Sequence, residues 1–362
     1  MSRPLRAMFV ANDGFSAGHV TRALAIAAAL TERGRARGVE VASLLATTSE
    51  ADALFGGADV ALLRLPAPDA ARRAGLADPE RRRLVRACLE AAVQSFGPDL
   101  VVVDTFPSGP HGELAGALEG HARRVLVRRH VPVERWTAEP LAAGLAACAL
   151  AIVADDPTQT TPVPGVNCVH VPPIVRAQEL ASREAARARL GLPRDARVLL
   201  VTSGGGGDGA ARERAARFAS AARKHDPGSV VAVAAGPLAT LAMDGVLLPR
   251  GLVPLRCAPL GPWMAAFDGA IAAAGYNTAH ELAHAGVPAV LYACPRPFDD
   301  QAARARRFAE QGLAFALEDD AGLPAALAWL RAPRPDRACA LRADGAPRAA
   351  DALLDLAGAR SA

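Results

Sequence analysis

The chain has few of the features that mark secreted or membrane-spanning proteins. Its 362 residues include six cysteines, and no two of them form a Cys-x-x-Cys pair, so the sequence predicts reduced thiols rather than a disulfide scaffold. The longest apolar run, from Leu141 to Ala154, has about 14 residues, whereas a spanning helix needs about 20. We therefore expect a cytoplasmic protein without a transmembrane segment.

Lysine and aromatic residues are also scarce. Lys224 is the only lysine, so almost all of the 41 basic residues are arginines. The net charge of +4 is too small to indicate a nucleic-acid-binding protein. Aromatic residues make up 4% of the chain and alanine roughly a quarter, which blurs helical periodicity. The informative positions are therefore the glycines, acids and histidines that follow apolar segments.

Continuous apolar segments alternate with segments of helical length. Apolar runs of this kind are typical of parallel strands that are buried on both faces. The predicted strands span 7–11, 39–46, 100–104, 125–128, 149–154 and 169–172 in the first half, and 197–203, 229–235, 253–257, 269–273 and 289–292 in the second. The pattern predicts an α/β fold with two Rossmann-like domains that face each other across a cleft.

The expected domain boundary lies after the proline pair at 172–173, because proline stops the last strand of the first half. We therefore expect an N-terminal domain over 1–175 and a C-terminal domain over 176–335. A helical segment is expected over 336–362, and a return of this segment to the first domain stays open.

The loop after the first predicted strand leads directly into a helix. It offers Asn12, Gly18 and His19 at the carboxyl end of a strand, where open α/β sheets bind their ligands. Asp104 ends another apolar strand and is a second candidate for the cleft. The alternatives are a plain turn with a capping histidine, and a helix cap at Asp104. Both pairs of alternatives stay open at this point.

A glycine-rich loop over 203–209 formally matches G-x-G-x-x-G. A dinucleotide site of that type needs an acid at the end of the next strand, but the sequence there is Ala234-Ala235-Gly236-Pro237. A P-loop is excluded because no Gly-Lys-Ser/Thr follows. The loop is therefore predicted to accommodate a phosphate, with a purely structural turn as the alternative.

The sequence His280-Glu281-Leu282-Ala283-His284 matches the H-E-x-x-H motif of zinc hydrolases. A buried strand and an Asn/Thr turn precede it, and the extension found in metzincins is absent. Glu310 stays open as a third ligand. Otherwise the two histidines are expected to be ordinary helix residues. The basic runs Arg81-Arg82-Arg83 and Arg304, Arg306 and Arg307 are expected on solvated helix faces rather than at anion sites.

Residues 267–310 carry a resemblance to a known family. The segment Gly275-Tyr276-Asn277-Thr278 and the later Asp300-Gln301 resemble the donor-binding motif of GT-B glycosyltransferases. The similarity is greatest to the family of the peptidoglycan lipid II N-acetylglucosaminyltransferase. Two departures concern the acceptor and the donor sugar: the first loop lacks the fuller Gly-Gly-x-Gly-Gly-His pattern, and Gln-x-x-Asn reads Gln301-Ala302-Ala303-Arg304.

The resemblance implies a role for each matching position. Glu281 would bind the ribose of a nucleotide diphosphate-sugar, and His19 would act as general base, with Asp104 in the catalytic set. The acceptor side would include Asn12, Gly18 and His19. The remaining donor contacts would be Ser203, Gly204, Gly205, Gly206, Gly275, Asn277 and Thr278 at the diphosphate, Cys257 and Leu260 at the base, and Asp300 and Gln301 at the sugar.

The implied activity is an inverting, metal-independent transfer from a UDP-linked sugar such as UDP-N-acetylglucosamine to a hydroxyl acceptor. Histidine suits the base near neutral pH, and helix-terminal N–H groups stabilise a leaving diphosphate. No cofactor and no metal are implied. A lipid-linked acceptor and peripheral contact with the inner face of the membrane stay open. The alternatives are a nucleotide-sugar epimerase or hydrolase using Asp13, Asp104 or Glu113, a non-catalytic sugar-nucleotide sensor, and a zinc hydrolase.

Overall fold

The computed structural model describes most of the chain. The described residues are 3–12, 17–109, 112–114, 116–118, 123–129, 144–154, 165–176, 179–205, 209–238, 251–296, 298–332, 341 and 343–358. Three residues named above, Asp13, Leu141 and Gly206, lie outside them.

The first half of the chain forms a seven-stranded parallel sheet with the order β3-β2-β1-β4-β5-β6-β7. Its strands are β1 (Leu5–Ala11), β2 (Val41–Thr47), β3 (Ala61–Arg64), β4 (Leu100–Asp104), β5 (Arg124–Arg128), β6 (Cys148–Ala154) and β7 (Cys168–Val171). The helices of this half are α1 (Gly18–Ala36), α2 (Pro68–Arg73) and α3 (Asp78–Phe96).

The second half forms a six-stranded parallel sheet with the order β10-β9-β8-β11-β12-β13. Its strands are β8 (Val198–Thr202), β9 (Val230–Ala234), β10 (Leu252–Leu255), β11 (Gly269–Ala273), β12 (Ala289–Tyr292) and β13 (Ala314–Leu317). The helices that follow the first sheet are α4 (Arg183–Leu190), α5 (Gly209–His225), α6 (Tyr276–His284), α7 (Gln301–Glu310), α8 (Leu323–Arg331) and α9 (Gly345–Gly358).

Both sheets are covered on two faces, which explains the continuous apolar strands. In β1, Phe9 packs into the core shared with α1 and α9, while Met8 and Val10 pack into the core under α3. In β8, Leu200 and Val201 likewise enter different cores. The predicted α/β class with two Rossmann-like units is confirmed. Two short edge strands, β3 and β13, were not predicted from the sequence.

Helix α9 packs on the first unit, although it lies far from it in sequence. Its residues Ala349 and Leu353 belong to the same core as Phe9. Arg33 of α1 binds Asp351 of α9 through its Nε at 3.0 Å and its Nη2 at 2.8 Å. The last described segment therefore completes the helical layer of the first sheet.

The strand orders place one crossover point in each sheet. The chain moves outward in both directions from β1 and β4 in the first sheet, and from β8 and β11 in the second. Loops at the carboxyl ends of such neighbouring strands form the ligand crevices of open α/β sheets. Within the described part of the chain, no helix is long and apolar enough to cross a membrane.

Candidate active site

His19, Arg22 and Asp104 meet at the crossover point of the first sheet. His19 and Arg22 lie one turn apart on α1, and Asp104 ends β4, the strand beside β1. His19 Nδ1 lies 2.5 Å from Asp104 Oδ1. The Arg22 guanidinium donates to both carboxylate oxygens, from Nε at 2.7 Å and from Nη2 at 2.6 Å. The structure thus brings the two predicted catalytic residues together and adds an arginine that the sequence did not predict.

The charges of this cluster keep Asp104 ionised and His19 neutral. Although burial opposes it, the charges and hydrogen bonds of Arg22 and His19 hold the pKa of the Asp104 carboxyl well below its usual range. Burial lowers the pKa of His19, and the attraction of Asp104 offsets this only in part. An ionised Asp104 accepts the Nδ1–H of His19, so Nε2 carries the lone pair. The His19 side chain is 13% exposed.

The other predicted residues of the first unit lie nearby. Asn12 follows β1 and is buried, and its Nδ2 donates to Glu113 Oε1 at 3.2 Å. Among the described residues its Oδ1 has no hydrogen-bond partner. Gly18 begins α1, and its carbonyl accepts a hydrogen bond from Asn277 Nδ2 at 3.4 Å. Gly18 therefore touches the second unit directly.

The glycine loop and the start of α6 face each other at the crossover point of the second sheet. Ser203, Gly204 and Gly205 follow β8, and Gly204 has a φ of 79°. A Cβ on Gly204 would lie 3.7 Å from Thr278 Oγ1 in the first turn of α6. The first N–H groups of a helix have no intrahelical partner and attract anions. Of the predicted diphosphate contacts, only Gly206 lies outside the described residues.

Gly236 supports this loop from the end of β9. A Cβ on Gly236 would lie 2.0 Å from the Gly204 carbonyl oxygen, and its φ of 84° suits glycine alone. Leu238 N donates to Gly205 O at 3.1 Å. The Gly-Pro pair that follows β9 is the sequence signal for this supporting role. The sequence-based prediction considered this segment only for the absence of a ribose-binding acid.

Replacing Gly236 by alanine is expected to weaken nucleotide binding about tenfold or more, because the methyl group displaces the Gly204 carbonyl and with it the loop. Calorimetric titration with a nucleoside diphosphate measures the loss. Gly312→Ala is the matched control, since Gly312 has a φ of 72° but open space around its Cβ position. Equal affinities for the two variants would contradict this role of Gly236.

Glu281 and Arg176 line the neighbouring part of the second unit. A Cβ on Gly261 would lie 3.0 Å from Glu281 Oε1, so the carboxylate faces the 3-10 helix Gly261–Ala266. Burial raises the pKa of Glu281 to about 7, and the charge of Arg176 opposes that rise. Arg176 Nη1 is buried without a hydrogen-bond partner among the described residues. The sequence analysis missed Arg176, which directly follows the linker segment 172–175.

The predicted base wall precedes that 3-10 helix. Cys257 is half-buried, and burial raises the pKa of its thiol. Leu260 is also half-buried and packs against the core of the second unit. Leu260 directly precedes Gly261, the glycine that faces Glu281.

The polar residues around the start of α7 differ in burial and in hydrogen-bond partners. Asp300 is exposed and caps α7, accepting the N–H of Ala303 at 2.9 Å. Gln301 is buried, and its Oε1 accepts the N–H of Cys294 at 2.9 Å. Asp299 is the acid inside the cleft: it accepts Arg304 at 2.7 Å and Arg129 at 2.9 Å. Asp299 is not among the residues that the sequence predicted for the site.

The expectation that the arginine runs lie on solvated faces is wrong for Arg304 and for Arg81, which is 1% exposed. Arg304 is 2% exposed, and its Nη1 donates to the carbonyl of Ala274 at 2.8 Å. Its second partner, Asp299, also binds Arg129 from the end of β5 in the first sheet. The charges hold the pKa of Asp299 below its usual range although burial opposes this. Two arginines on one carboxylate leave a positive charge in the cleft.

Tyr276, the first residue of α6, joins the two units. Its hydroxyl donates to the carbonyl of Ala154 at 2.8 Å, and the Arg22 guanidinium lies 5.4 Å from its ring centroid. The two units also meet through Asn277 and Gly18, Arg129 and Asp299, and the rings of Phe106 and Phe298. The His19 cluster and the start of α6 therefore form one continuous site.

The two histidines of the H-E-x-x-H segment contact neighbouring rings and backbone carbonyl groups. His280 is buried between the rings of Tyr276 and Phe308, with Nδ1 2.7 Å from the Tyr276 carbonyl oxygen. His284 Nδ1 lies 3.2 Å from the carbonyl oxygen of Leu341. In the part of the chain that the structure describes, no group of three His, Cys, Asp or Glu residues is arranged to hold a metal ion.

Comparison with known proteins identifies the fold. The sequence matches no protein-family model and no curated protein sequence. The structure is similar to the glycosyltransferase of kitacinnamycin, with a TM-score of 0.62 and 16% identity, over 98% of this chain and 100% of that one. It is also similar to the spinosyn forosaminyltransferase SpnP, with a TM-score of 0.61 and 18% identity over 98% and 99% of the chains.

A third similar structure is the Streptomyces sp. SF2575 glycosyltransferase SsfS6 in complex with thymidine diphosphate. Its TM-score is 0.64 and its identity 19%, over 97% of this chain and 99% of that one. At these identities the similarity establishes the fold, which is the GT-B architecture. It does not single out the lipid II N-acetylglucosaminyltransferase family.

Proposed function

We propose that this protein is an inverting, metal-independent glycosyltransferase that moves a sugar from a nucleotide diphosphate-sugar to a hydroxyl acceptor. The observation that carries the proposal is the pairing of His19 with Asp104 beside the N-terminus of α6. A neutral histidine whose Nε2 carries the lone pair suits base catalysis, and the first N–H groups of a helix suit a diphosphate.

In the proposed reaction, His19 Nε2 removes the proton of the acceptor hydroxyl as its oxygen attacks the anomeric carbon. Asp104 fixes the tautomer of His19 and stabilises the imidazolium that forms. The bond from the sugar to the diphosphate breaks on the opposite face, which inverts the anomeric configuration. N–H groups of α6 and of the loop at Ser203 and Gly204 stabilise the negative charge of the leaving diphosphate without a metal ion.

The proposed donor contacts all belong to the second unit. Glu281 binds the ribose hydroxyls, and Arg176 donates from its unpaired Nη1 to the ribose or the nearest phosphate. In this proposal Cys257 and Leu260 bound the base. The resemblance assigns the sugar contacts to Asp300 and Gln301, although Asp300 also caps α7 and Gln301 also binds the N–H of Cys294. The base is a pyrimidine in this proposal: the resemblance points to UDP, and one structure with the same fold holds thymidine diphosphate.

A panel of nucleoside diphosphates tests the donor side. A ligand present at about 100 times its Kd adds about 2.7 kcal/mol to the free energy of unfolding. We expect UDP or TDP, but not GDP, to raise the melting temperature, with no requirement for a divalent cation. Stabilisation by zinc alone, with no response to any nucleotide, would reject the proposal in favour of the zinc hydrolase.

The products distinguish the transferase from the alternatives on the same fold. A buried carboxylate, Glu113, lies beside Asn12 in the first unit, which favours an epimerase or hydrolase as the second candidate. If the protein is a transferase, NMR detects a glycoside of inverted anomeric configuration only when a hydroxyl acceptor is present. The acceptors tested include lipid-linked ones. Release of free sugar, or an epimerised donor, without any acceptor would favour the second candidate.

A further inference from the structure

Arg22 is more deeply buried than the Asp104 carboxylate and the His19 ring. It is 1% exposed, and its planar fork contacts both oxygens of Asp104. Nη2 also lies 3.3 Å from Thr105 Oγ1 and 3.4 Å from His19 Nδ1. A bidentate arginine fixes the plane of a carboxylate, which a single hydrogen bond cannot do.

Thr105 adds a second restraint on the same carboxylate. Its φ of 63° is the only positive φ of a non-glycine residue in the described ranges. A β-branched residue adopts this conformation only where its surroundings impose it. In return, Thr105 Oγ1 donates to Asp104 Oδ1 at 2.8 Å. Asp104 therefore receives hydrogen bonds from three side chains, those of His19, Arg22 and Thr105.

The other side of Arg22 faces the donor half of the site. Its guanidinium lies 5.4 Å from the ring centroid of Tyr276, where α6 begins. The Tyr276 hydroxyl in turn accepts the N–H of Ile174 at 3.3 Å and donates to Ala154. Arg22 is thus held between the carboxylate of the first unit and an aromatic ring of the second.

We propose that Arg22 is a positioning residue for sugar transfer, which fixes Asp104 and, through Asp104, the ring of His19 in the orientation that removes the acceptor proton. This inference rests on the proposed role of His19 as base. Arg22 touches neither donor nor acceptor in this proposal, and the ring of Tyr276 holds it in place from the donor side.

The charge of Arg22 has a second effect on His19. Among the described residues, the charged groups that act on His19 are Asp104, Arg22 and Arg129. Asp104 favours the imidazolium, whereas the two arginines oppose it. Without Arg22, the carboxylate faces His19 uncompensated, so the pKa of His19 rises. Because only neutral His19 accepts a proton, the acidic limb of the kcat/KM profile then moves to higher pH.

The test compares Arg22→Gln with Arg22→Lys in transfer assays across pH. We expect Arg22→Gln to lower kcat about 10- to 100-fold, to leave the donor KM unchanged and to move the acidic limb upward. Arg22→Lys keeps the charge without the fork, so kcat falls while the acidic limb stays in place. An Arg22→Gln variant with the wild-type kcat and pH profile overturns the proposal.

A double variant keeps the test valid if Arg22→Gln does not fold. Arg22→Gln combined with Asp104→Asn leaves no buried unpaired charge. If Arg22 acts through Asp104, the double variant transfers sugar as slowly as Asp104→Asn alone. A further loss of tenfold or more shows that Arg22 acts elsewhere and overturns the proposal.

Thr105 gives an independent comparison. Thr105→Val removes the hydroxyl at constant shape and is expected to lower kcat, whereas Thr105→Ser keeps it and is expected to retain kcat. Equal rates for the two variants speak against the restraint on Asp104. A wrong assignment of the base gives a different result. In that case His19→Ala transfers sugar at the wild-type rate, whatever the rates of the Arg22 and Thr105 variants.

Discussion

Replacing His19 by alanine is expected to lower kcat for sugar transfer about 10²- to 10⁴-fold, the contribution typical of a positioned general base. The donor KM and the nucleotide affinity are expected to stay unchanged, because His19 lies in the first unit and the donor contacts lie in the second. Initial rates of transfer and calorimetric titration with UDP and TDP measure the two quantities separately.

His225→Ala serves as the matched control for this variant. His225 is an exposed histidine at the end of α5, so its loss should change neither rate nor affinity. In the wild-type enzyme, burial lowers the pKa of His19. We therefore expect kcat/KM to be constant near pH 7 and to fall only below the ordinary pKa range of histidine. Transfer at the wild-type rate by His19→Ala would exclude His19 as the base.

Replacing Glu281 by alanine is expected to weaken nucleotide binding about 10- to 100-fold, the effect of losing hydrogen bonds to a charged group. The variant removes the carboxylate proposed to accept the ribose hydroxyls. It also removes the one carboxylate that, among the described residues, acts on the guanidinium of Arg176. Calorimetric titration with UDP and TDP measures the loss directly.

Glu310→Ala is the control for Glu281. Glu310 is an exposed glutamate at the end of α7 and the residue left open as a third zinc ligand. We expect Glu310→Ala to leave nucleotide binding and transfer unchanged, whereas Glu281→Ala weakens nucleotide binding. The reverse pair of results would support the metal site and reject the ribose assignment.

The raised pKa of Glu281 also predicts how pH affects the unliganded protein. Its pKa is about 7 in the fold against an ordinary value of 4.5, so the folded state binds more protons between these values. The free energy of unfolding therefore falls as pH rises through this window, and Glu281→Gln should abolish that part of the slope. Nucleotide affinity should rise over the same window, because the ionised carboxylate is the better acceptor.

The sequence predicted those parts of the site that depend on short segments of chain. Continuous apolar runs such as Leu100–Asp104 predict buried parallel strands without knowledge of their neighbours. Glycines, capping residues and strand-end acids likewise act within a few residues. Strands β3 and β13 were missed, whereas β7 and β10, which have the same length of four residues and also lie at sheet edges, were predicted.

The buried arginines could not be predicted in this way. Arg22 is separated from Asp104 by 82 positions, and Arg129 from Asp299 by 170. The basic residues of this chain are almost all arginines. No feature of the neighbouring sequence distinguishes the buried Arg304 from the exposed Arg306, which lies on the same helix. Only the tertiary fold supplies the carboxylates that permit arginine side chains to be buried.

The position of α9 sets the order in which the protein can mature during synthesis. Ala349, Leu353 and Leu354 fill the core beneath Phe9 and Leu30, yet the ribosome adds them after every strand of the second sheet. Part of the apolar surface of the first sheet therefore stays uncovered until the second unit has been synthesised. Since domains generally fold as units during synthesis, the second unit can reach its final packing before the first.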